Sequence, residues 1–324
     1  MSKLSLNIKE MSQIKRLALV FSLIILFSLP AFSLSSKRND LYVDDSNHGS
    51  EDGSKSHPYS SINEAMDESN SKTDIHVAKG FYKENVEINK GVRIYGEDKD
   101  DVVIEARKSK KLATIYMNDE TVINKVTIRK GKYGVAVEKE AEASIVKCVI
   151  EDSERDGIYI NKGKIKDSRL VSISKSVIKN NDGGGIYSDT RKLSITDSEI
   201  RDNGGDGIDI AAGSSAWVYK NYITDNKKSG MKLRIDQSNI WTKKNKITKN
   251  DREGVEINFS GGDGRIDIKD SAIFQNKKYG VARVQRSIFG NNLGKWNSQA
   301  TFSGVNNIGE NVEGNISKIF IITK

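Results

Sequence analysis

Residues 200–210 read Ile-Arg-Asp-Asn-Gly-Gly-Asp-Gly-Ile-Asp-Ile, and residues 223–233 repeat the frame as Ile-Thr-Asp-Asn-Lys-Lys-Ser-Gly-Met-Lys-Leu. Both stretches place an Asn three residues after an Ile, and a Gly followed by an apolar residue seven residues after that Ile. The same seven-residue interval separates Ile150 from Gly157, Ile178 from Gly185, Ile247 from Gly254 and Ile273 from Gly280. Repetition at a period of about 20 to 30 residues is typical of a solenoid, in which each repeat buries its apolar residues against its neighbours. The sequence therefore predicts one elongated repeat domain.

Each repeat is predicted to contain short strands joined by polar turns. After each Gly the chain alternates apolar and polar residues, as in residues 207–210, and a period of two marks a strand with one face inward. A second strand runs into each Ile, as in residues 193–196 and 217–219. Only one Pro, Pro58, follows the first 33 residues, which suits paired strands because Pro removes a hydrogen-bond donor. These patterns predict an all-β fold.

Two polar positions recur along the repeats. The first lies three residues after the Ile and holds Ser153, Asn181, Asn203, Asn226, Asn250 and Asn276. Stacked Asn side chains hydrogen-bond along a solenoid axis, and Asn tolerates the left-handed backbone of a sharp turn, so an Asn ladder is predicted. The second lies two residues before the Ile and holds Cys148, Ser176, Ser198, Asn221, Asn245 and Ser271. Cys148 is therefore interpreted as an inward filler, not a reactive thiol, and a single Cys excludes an intramolecular disulfide.

The repeat resembles the right-handed parallel β-helix of the pectin-lyase-like superfamily over about residues 75–290. Residues 41–86 are similar to the opening of many secreted β-helix proteins, in which a short helix caps the open end of the core. Ser60 or Ser61 is suited to the N-cap of that helix. The apolar residues that would share its inner face are Ile62, Ala65 and Met66. The resemblance thus implies a right-handed parallel β-helix solenoid with a short N-terminal capping helix.

The predicted organisation has four parts. Residues 1–33 form a signal peptide, and residues 34–74 form an N-terminal strand and the capping helix. The β-helix repeats occupy residues 75–290. Residues 291–324 form an irregular C-terminal coil or cap, with a strand near 319–322.

The first 33 residues have the pattern of a secretory signal. Lys9, Lys15 and Arg16 precede an apolar run over residues 17–29, and Ala31-Phe32-Ser33 offers small residues for cleavage. The protein is therefore expected to be secreted, periplasmic or on the cell surface, with no membrane contact after cleavage. The alternative is an uncleaved membrane anchor, because the apolar run approaches the length that spans a bilayer.

The charge is a mild basic excess. The net charge of the chain is +8, and residues 1–33 carry four Lys or Arg and one Glu, so their removal lowers it to +5. Basic and acidic residues are interspersed, and no basic stripe with aromatic residues is evident, so a nucleic-acid partner is not expected. A polysaccharide is the expected partner, and the protein is expected to be a monomer.

The strand frame also predicts which side chains point outward. If Ile208, Ile210, Met231 and Leu233 point inward, the residues between them form two outward columns. The first column is Tyr159, Tyr187, Asp209, Lys232 and Glu256, and the second is Asn161, Asp189, Ala211, Arg234 and Asn258. We call these two columns the outward grid.

The outward grid predicts a polysaccharide-binding surface. Tyr159 and Tyr187 are expected to stack on sugar rings, with Asn161 and Asn258 as further substrate-binding residues. Lys232 and Arg234 would meet the carboxylates of an acidic polymer. Trp217 and Trp241 begin the strand that runs into the Ile, and core or rim packing is the interpretation for both.

The resemblance implies a second function, a uronate lyase. β-helix lyases use acidic residues to hold Ca²⁺ against the uronate, while a Lys or Arg abstracts the C5 proton. In this chain Asp189, Asp209 and Glu256 would be the calcium ligands. Lys232 or Arg234 would be the catalytic base. The three His residues lie at or before the first repeat, so His-dependent chemistry is not expected.

Two non-catalytic interpretations stand beside these. Asp209, Lys232 and Glu256 alternate in sign, and such a cross-strand ladder holds register without any ligand. The whole protein would then be a surface or adhesion scaffold. Whether the chain is an enzyme is left open by the sequence.

Overall fold

The computed structural model describes residues 37–107, 112–164, 169–259, 263–285, 299–317 and 321–322. In these ranges the unit that begins at Asn39 consists of a short helix, α1 (Ile62–Asp67), and three parallel sheets. Sheet 1 contains, in spatial order, β1 (Asn39–Val43), β2 (Thr73–Val77), β5 (Arg93–Gly96), β8 (Thr121–Asn124), β11 (Ala143–Val146), β14 (Leu170–Ser174), β17 (Lys192–Thr196), β20 (Ser215–Tyr219), β23 (Asn239–Lys243), β26 (Arg265–Lys269), β29 (Gln299–Ser303) and β32 (Ile321–Ile322).

The other two sheets have ten strands each. Sheet 2 contains β4 (Val86–Ile88), β7 (Ala113–Met117), β10 (Tyr133–Val137), β13 (Ile158–Ile160), β16 (Ile186–Ser188), β19 (Ile208–Ile210), β22 (Met231–Arg234), β25 (Val255–Phe259), β28 (Tyr279–Gln285) and β31 (Gly314–Ile316). Sheet 3 contains β3 (Gly80–Lys83), β6 (Val102–Glu105), β9 (Thr127–Arg129), β12 (Val149–Glu151), β15 (Val177–Lys179), β18 (Glu199–Arg201), β21 (Tyr222–Thr224), β24 (Lys246–Thr248), β27 (Ala272–Phe274) and β30 (Asn307–Gly309).

Each coil of the solenoid visits the three sheets in turn. A strand of sheet 1 is followed by one of sheet 3 and then one of sheet 2, as in β17, β18 and β19. Neighbouring coils pair in register, so Ile200 lies between Ile178 and Ile223. The Ile side chains point into the core and are fully buried. The predicted all-β parallel solenoid is confirmed.

The repeated Gly is required by the close approach of one coil to the next. A Cβ atom on Gly207 would lie 2.6 Å from the carbonyl oxygen of Gly230 and 2.8 Å from Cγ2 of Ile223. It would also lie 2.9 Å from Nδ2 of Asn226. Gly185, Gly230 and Gly254 meet the equivalent three atoms of their following coils. The Gly of one coil therefore packs on the Ile, the Asn and the Gly of the next, which explains the constant interval between them.

The Asn ladder is confirmed. Asn226 is fully buried. Its Oδ1 accepts from Nδ2 of Asn203 at 2.9 Å, and its Nδ2 donates to Oδ1 of Asn250 at 3.0 Å and to the carbonyl of Ile200 at 3.2 Å. The same side-chain link is repeated from Asn181 through to Asn311.

The sequence suggested that the ladder Asn adopts the left-handed conformation of the turn. In the structure the residue before the Asn adopts it instead. Asp225 and Lys249 have φ of 57° and 55°. The side chains of Asp225 and Lys249 are exposed. The backbone therefore bends at a solvent-exposed residue, and the side chain of the following Asn points into the core. An isolated polar residue tolerates this conformation at a modest cost.

The second polar column is also a ladder. The backbone N–H of Cys148 donates to Oγ of Ser176 at 3.1 Å, and that of Ser198 donates to Oδ1 of Asn221 at 3.0 Å. Cys148 is fully buried, and burial raises the pKa of its thiol to about 12. The thiolate is the reactive form of Cys, so the interpretation of Cys148 as a filler is confirmed.

Helix α1 lies where the capping helix was predicted. Ser61 is its N-cap, with Oγ accepting from the backbone N–H of Glu64 at 3.2 Å while a Glu64 carboxylate oxygen accepts from the N–H of Ser61 at 3.1 Å. This reciprocal pair is a capping box. Ile62, Ala65 and Met66 are buried in the main core.

The C-terminal end differs from the irregular segment expected after residue 290. Strands β29, β30 and β31 pair with β26, β27 and β28, so a further coil is present. Asn311 continues the ladder, but it lies 35 residues after Asn276, whereas Asn203 lies 22 residues after Asn181. The longer interval explains why the sequence predicted this coil as irregular. Of the predicted strand near 319–322, residues 321–322 form β32.

The predicted signal peptide, residues 1–33, lies outside the described residues. Within the ranges given above, no helix is long and apolar enough to cross a membrane.

Candidate functional site

Sheet 2 carries the outward grid in the predicted register. Tyr159 pairs with Tyr187, Tyr187 with Asp209, Asp209 with Lys232, and Lys232 with Glu256. In the second column Arg234 pairs with Asn258. The inward residues Ile208, Ile210, Met231, Leu233, Val255 and Ile257 are fully buried.

Three Tyr side chains form a stack on the outer face of sheet 2. The ring centroids of Tyr133 and Tyr159 lie 4.5 Å apart, and those of Tyr159 and Tyr187 lie 5.3 Å apart. The rings are nearly parallel, with interplanar angles of 21° and 13°. Both faces of Tyr159 are therefore covered by protein, and this ring cannot stack on a sugar as the sequence suggested.

Tyr133 is the member of this stack that sequence reasoning missed. It lies one position before Gly134, outside the predicted columns, while the small Ala136 occupies the Tyr159 column in its strand. The missing bulk of Ala136 leaves space that the Tyr133 ring fills. A small residue beside two aromatic residues in one column was the signal available in the sequence.

The Tyr stack presents its hydroxyl groups. In the described part of the chain, no hydrogen bond uses the hydroxyl of Tyr133, Tyr159 or Tyr187. Burial, and then the charge of Asp189, raises the pKa of Tyr187 to about 12. Burial also raises the pKa of Tyr159. Both hydroxyls therefore keep their protons at neutral pH and act as hydrogen-bond donors and acceptors.

A cleft of about 420 Å³ lies at the N-terminal side of the Tyr stack. Its lining residues are Val86, Glu87, Leu112, Ala113, Tyr116, Asn118 and Glu138. Ala113 and Tyr116 belong to the small apolar cluster that also contains Tyr133 and Tyr159. The cleft and the stack are thus adjacent and combine apolar walls with a few carboxylates and hydroxyls, the composition of a ligand-binding pocket.

The two predicted catalytic cations are both bound to one carboxylate. Lys232 Nζ lies 3.1 Å from Oδ2 of Asp209 and 3.6 Å from Oδ2 of Asp206. Arg234 donates to both carboxylate oxygens of Asp209, at 3.0 and 3.4 Å. Asp209 and Lys232 are largely buried and Arg234 is partly buried, so the Coulomb attraction within these pairs is stronger than between exposed charges.

Glu256 is fully buried and its carboxylate is satisfied by protein groups. Ser229 Oγ lies 2.9 Å from Oε2 of Glu256 and 3.2 Å from Oε2 of Glu253. Asn258 Nδ2 donates to Oε1 of Glu256 at 3.0 Å, and Arg252 lies 3.6 Å from Oε2. Ser229 and Glu253 occupy the position before the repeated Gly, a third outward column that the sequence analysis had assigned to turns.

The remaining predicted residues have local partners. Asn161 Nδ2 donates to the carbonyl of Val137 at 2.8 Å, and Asp189 accepts from the Thr190 hydroxyl at 2.8 Å. Asn161 therefore holds its own turn against the preceding coil.

The predicted calcium ligands do not come together as a set. Among the residues that the structure describes, no group of three or more His, Cys, Asp or Glu side chains could hold a metal ion. Asp209 is bound to Lys232 and Arg234, and Glu256 to Ser229 and Asn258.

The carboxyl groups of Asp156 and Asp206 make stability depend on pH. Burial is the largest cause that raises the pKa of each. A raised carboxyl pKa means that the folded state holds the proton more tightly than the unfolded state, so stability is lost as pH rises through the folded pKa. We expect Asp156→Asn, which keeps the oxygen that accepts from the N–H of Gly184, to increase the free energy of unfolding at pH 7 but not at pH 3.

Urea denaturation between pH 3 and 8 measures this effect. Asp182→Asn, in the exposed part of the next turn, is the control and should leave the pH profile of the wild type unchanged. If Asp156→Asn raised the free energy of unfolding equally at pH 3 and pH 7, the effect would not come from the ionisation of the buried Asp156 carboxyl group.

Comparison with known proteins supports the β-helix fold. Residues 133–293 match the family model described as "Right handed beta helix region". The chain has a right-handed parallel β-helix fold. No curated protein sequence matches this β-helix.

Solved structures with a similar β-helix include three proteins that are named for polysaccharides. An alginate lyase from Paenibacillus sp. str. FPU-7 is 15% identical over 78% of this chain and 93% of its own, with a TM-score of 0.56. Pectin methylesterase from carrot is 13% identical over 90% of each chain, with a TM-score of 0.54. Pectate lyase Pel9A is 16% identical over 87% of this chain and 79% of its own, with a TM-score of 0.51. At these identities the likeness extends to the fold alone.

Proposed function

We propose that this β-helix protein binds a polysaccharide along the outer face of sheet 2. The observation that carries the proposal is the row of Tyr133, Tyr159 and Tyr187 hydroxyls, which have no hydrogen-bond partner among the described residues, beside the cleft lined by Glu87, Asn118 and Glu138. The similar structures named as alginate lyase, pectin methylesterase and pectate lyase support it. Export, expected from residues 1–33, would bring the protein to envelope or extracellular polymers.

The geometry suits an extended chain of sugars. Adjacent strands of a sheet lie about 4.8 Å apart, so the Tyr hydroxyls repeat at that interval along the solenoid axis. A sugar hydroxyl both donates and accepts, as a Tyr hydroxyl does. The apolar ring edges contact the sugar C–H groups while the hydroxyls fix the register of the polymer.

The lyase alternative receives less support from the grid. A base must be free to take a proton from the substrate, whereas Lys232 and Arg234 are both bound to Asp209. A calcium ion would have to draw Asp189, Asp209 and Glu256 out of their present contacts. The proposal is therefore binding, and lyase activity would be detected by the formation of unsaturated ends.

The binding proposal predicts a loss of affinity when the Tyr hydroxyls are removed. We expect Tyr159→Phe with Tyr187→Phe to raise the Kd for a bound polymer about tenfold, because each lost hydrogen bond contributes about 0.5 to 1.5 kcal/mol. The rings and their stacking remain in this variant. Affinity electrophoresis on a panel of neutral and acidic polysaccharides identifies the polymer, and calorimetry measures the Kd.

Tyr222→Phe is the matched control, since Tyr222 lies on the outer side of sheet 3 and is also partly exposed. It should leave the Kd within about twofold of the wild type. If the wild type binds no polymer of the panel, the scaffold interpretation replaces this proposal. If the wild type and the double variant bound the polymer with equal affinity, the binding site would not be the Tyr stack on sheet 2.

A further inference from the structure

Sheet 1 has an outer face of a different character from that of sheet 2. In β17, β20, β23 and β26 the first, third and fifth residues point outward, as their burial pattern shows. Side chains on this face therefore form three columns along the axis, and the turn that follows each strand adds a fourth. None of these residues belongs to the outward grid.

Aromatic side chains occupy the middle of this face. Trp217 and Trp241 pair in register on β20 and β23, and Trp217 stacks on Tyr219 with centroids 5.8 Å apart. Trp217 remains 38% exposed. Both Trp side chains lie on the outward side of their strands, so neither packs in the core, and Trp217 is the more exposed of the two.

Lysines lie at the C-terminal ends of the two strands that carry these aromatic side chains. Lys220 and Lys244 occupy the left-handed turn position after β20 and β23, with φ of 55° and 56°. Lys243 is the last residue of β23. Together with the aromatic residues they form what we call the lysine–tryptophan face: Trp217, Tyr219, Lys220, Trp241, Lys243 and Lys244.

The positive charge of this face is partly compensated, because Asp197 and Asp270 hold the left-handed turn position in the adjoining coils and Asp267 pairs in register with Trp241. Over the described part of the chain, neither Lys220 nor Lys244 forms an ion pair, and the nearest carboxylate to Lys243, in Asp270, is 4.0 Å away. Lys220 instead lies over the ring of Tyr219, 5.3 Å from its centroid. By contrast, Lys232 and Arg234 on sheet 2 are neutralised by Asp209. An anionic ligand therefore meets more free positive charge on sheet 1.

Hydroxyl groups continue this face toward the N-terminal coils. Ser174, Ser194 and Thr196 point outward on β14 and β17, and within the described residues their hydroxyls have no protein partner. Such groups match a ligand that both donates and accepts hydrogen bonds, as a polyhydroxylated chain does. In a nucleic acid the phosphodiester backbone only accepts and the donors are confined to the bases, whereas every unit of an acidic polysaccharide carries hydroxyl groups, so these protein hydroxyls favour the polysaccharide.

We propose that the lysine–tryptophan face binds an acidic polysaccharide, separately from the site on sheet 2. The lysines contact the carboxylates, and the indole of Trp217 contacts the C–H side of a sugar ring. The inference does not depend on the binding proposed for the Tyr stack, because the two surfaces share no residue.

Polygalacturonate is the probe that tests this surface, with uncharged dextran and single-stranded DNA as comparisons. We expect the triple variant Lys220→Gln, Lys243→Gln and Lys244→Gln to weaken polygalacturonate binding at least about tenfold, and added NaCl to weaken binding of the wild type. Gln is compatible with the left-handed position, since Gln237 and Gln275 adopt it. Trp217→Ala should weaken binding several-fold without changing the salt dependence.

The control triple Lys227→Gln, Lys228→Gln and Lys249→Gln removes the same charge from exposed turns beside sheet 3. It should change the Kd for polygalacturonate by less than about twofold.

Tighter binding of single-stranded DNA than of polygalacturonate would overturn the proposal in favour of a nucleic-acid surface. A loss caused by Tyr159→Phe with Tyr187→Phe, but not by the lysine triple, would place the acidic polymer on sheet 2. The absence of polygalacturonate binding would also overturn it.

Discussion

Replacement of Asn226 by Ala is expected to lower the free energy of unfolding by about 3 kcal/mol. The side chain is fully buried in the Asn ladder. Its loss leaves Nδ2 of Asn203 without the acceptor at 2.9 Å and the carbonyls of Ile200 and Thr224 without their donor. A buried polar group without a partner costs about 1 to 3 kcal/mol, and the cavity adds to that cost.

Urea denaturation followed by circular dichroism measures this loss. Asn239→Ala is the control, because Asn239 is exposed on the outer side of β23 and should change stability by less than about 0.5 kcal/mol. If both variants were equally stable, the ladder would have no role in holding the coils together.

Gly207→Ala has the second largest expected effect, about 2 kcal/mol of destabilisation. The backbone of Gly207 is not left-handed, so Ala is not excluded by conformation. The added Cβ would instead come within 2.6 Å of the Gly230 carbonyl oxygen and within 2.9 Å of Asn226 Nδ2. Relief of both contacts requires the two coils to separate, which strains strand pairing in sheet 2.

Gly309→Ala provides the comparison, since a Cβ there would meet no atom within 4 Å. We expect its unfolding midpoint in urea to stay at the wild-type value while that of Gly207→Ala falls. Equal midpoints for the two variants would mean that the neighbouring coils adjust freely, contrary to the packing described above.

The coil geometry was predictable from sequence because one packing contact is repeated. The Gly of each coil meets the Ile, Asn and Gly of the next, so the three residue types recur at fixed spacing. Once that frame is known, the alternation of strands assigns the inward and outward side chains, and the register of Tyr159, Tyr187 and Asp209 follows.

The contacts made by outward side chains were less predictable. The full burial of Glu256 could not be predicted, because its partners Ser229 and Arg252 lie outside the predicted columns. The orientation of the Tyr rings could not be predicted either. Tyr159 was expected to stack on a sugar, but both faces of its ring are covered by Tyr133 and Tyr187. Charges from distant turns also come together only in the folded chain, as Lys220 and Lys244 do after neighbouring strands of sheet 1.

The Asn ladder gives the solenoid a polarity. Each side-chain amide accepts from the coil before it and donates to the coil after it, so the dipoles of Asn181 through Asn276 all point the same way. Aligned hydrogen bonds strengthen one another. A coil that has lost its C-terminal neighbour loses the Oδ1 that accepts from both its ladder NH₂ group and its backbone N–H, while the NH₂ group keeps its carbonyl acceptors. Partly folded intermediates therefore carry a penalty at their growing end, which couples the coils into a cooperative unit and makes the two ends of the ladder chemically distinct.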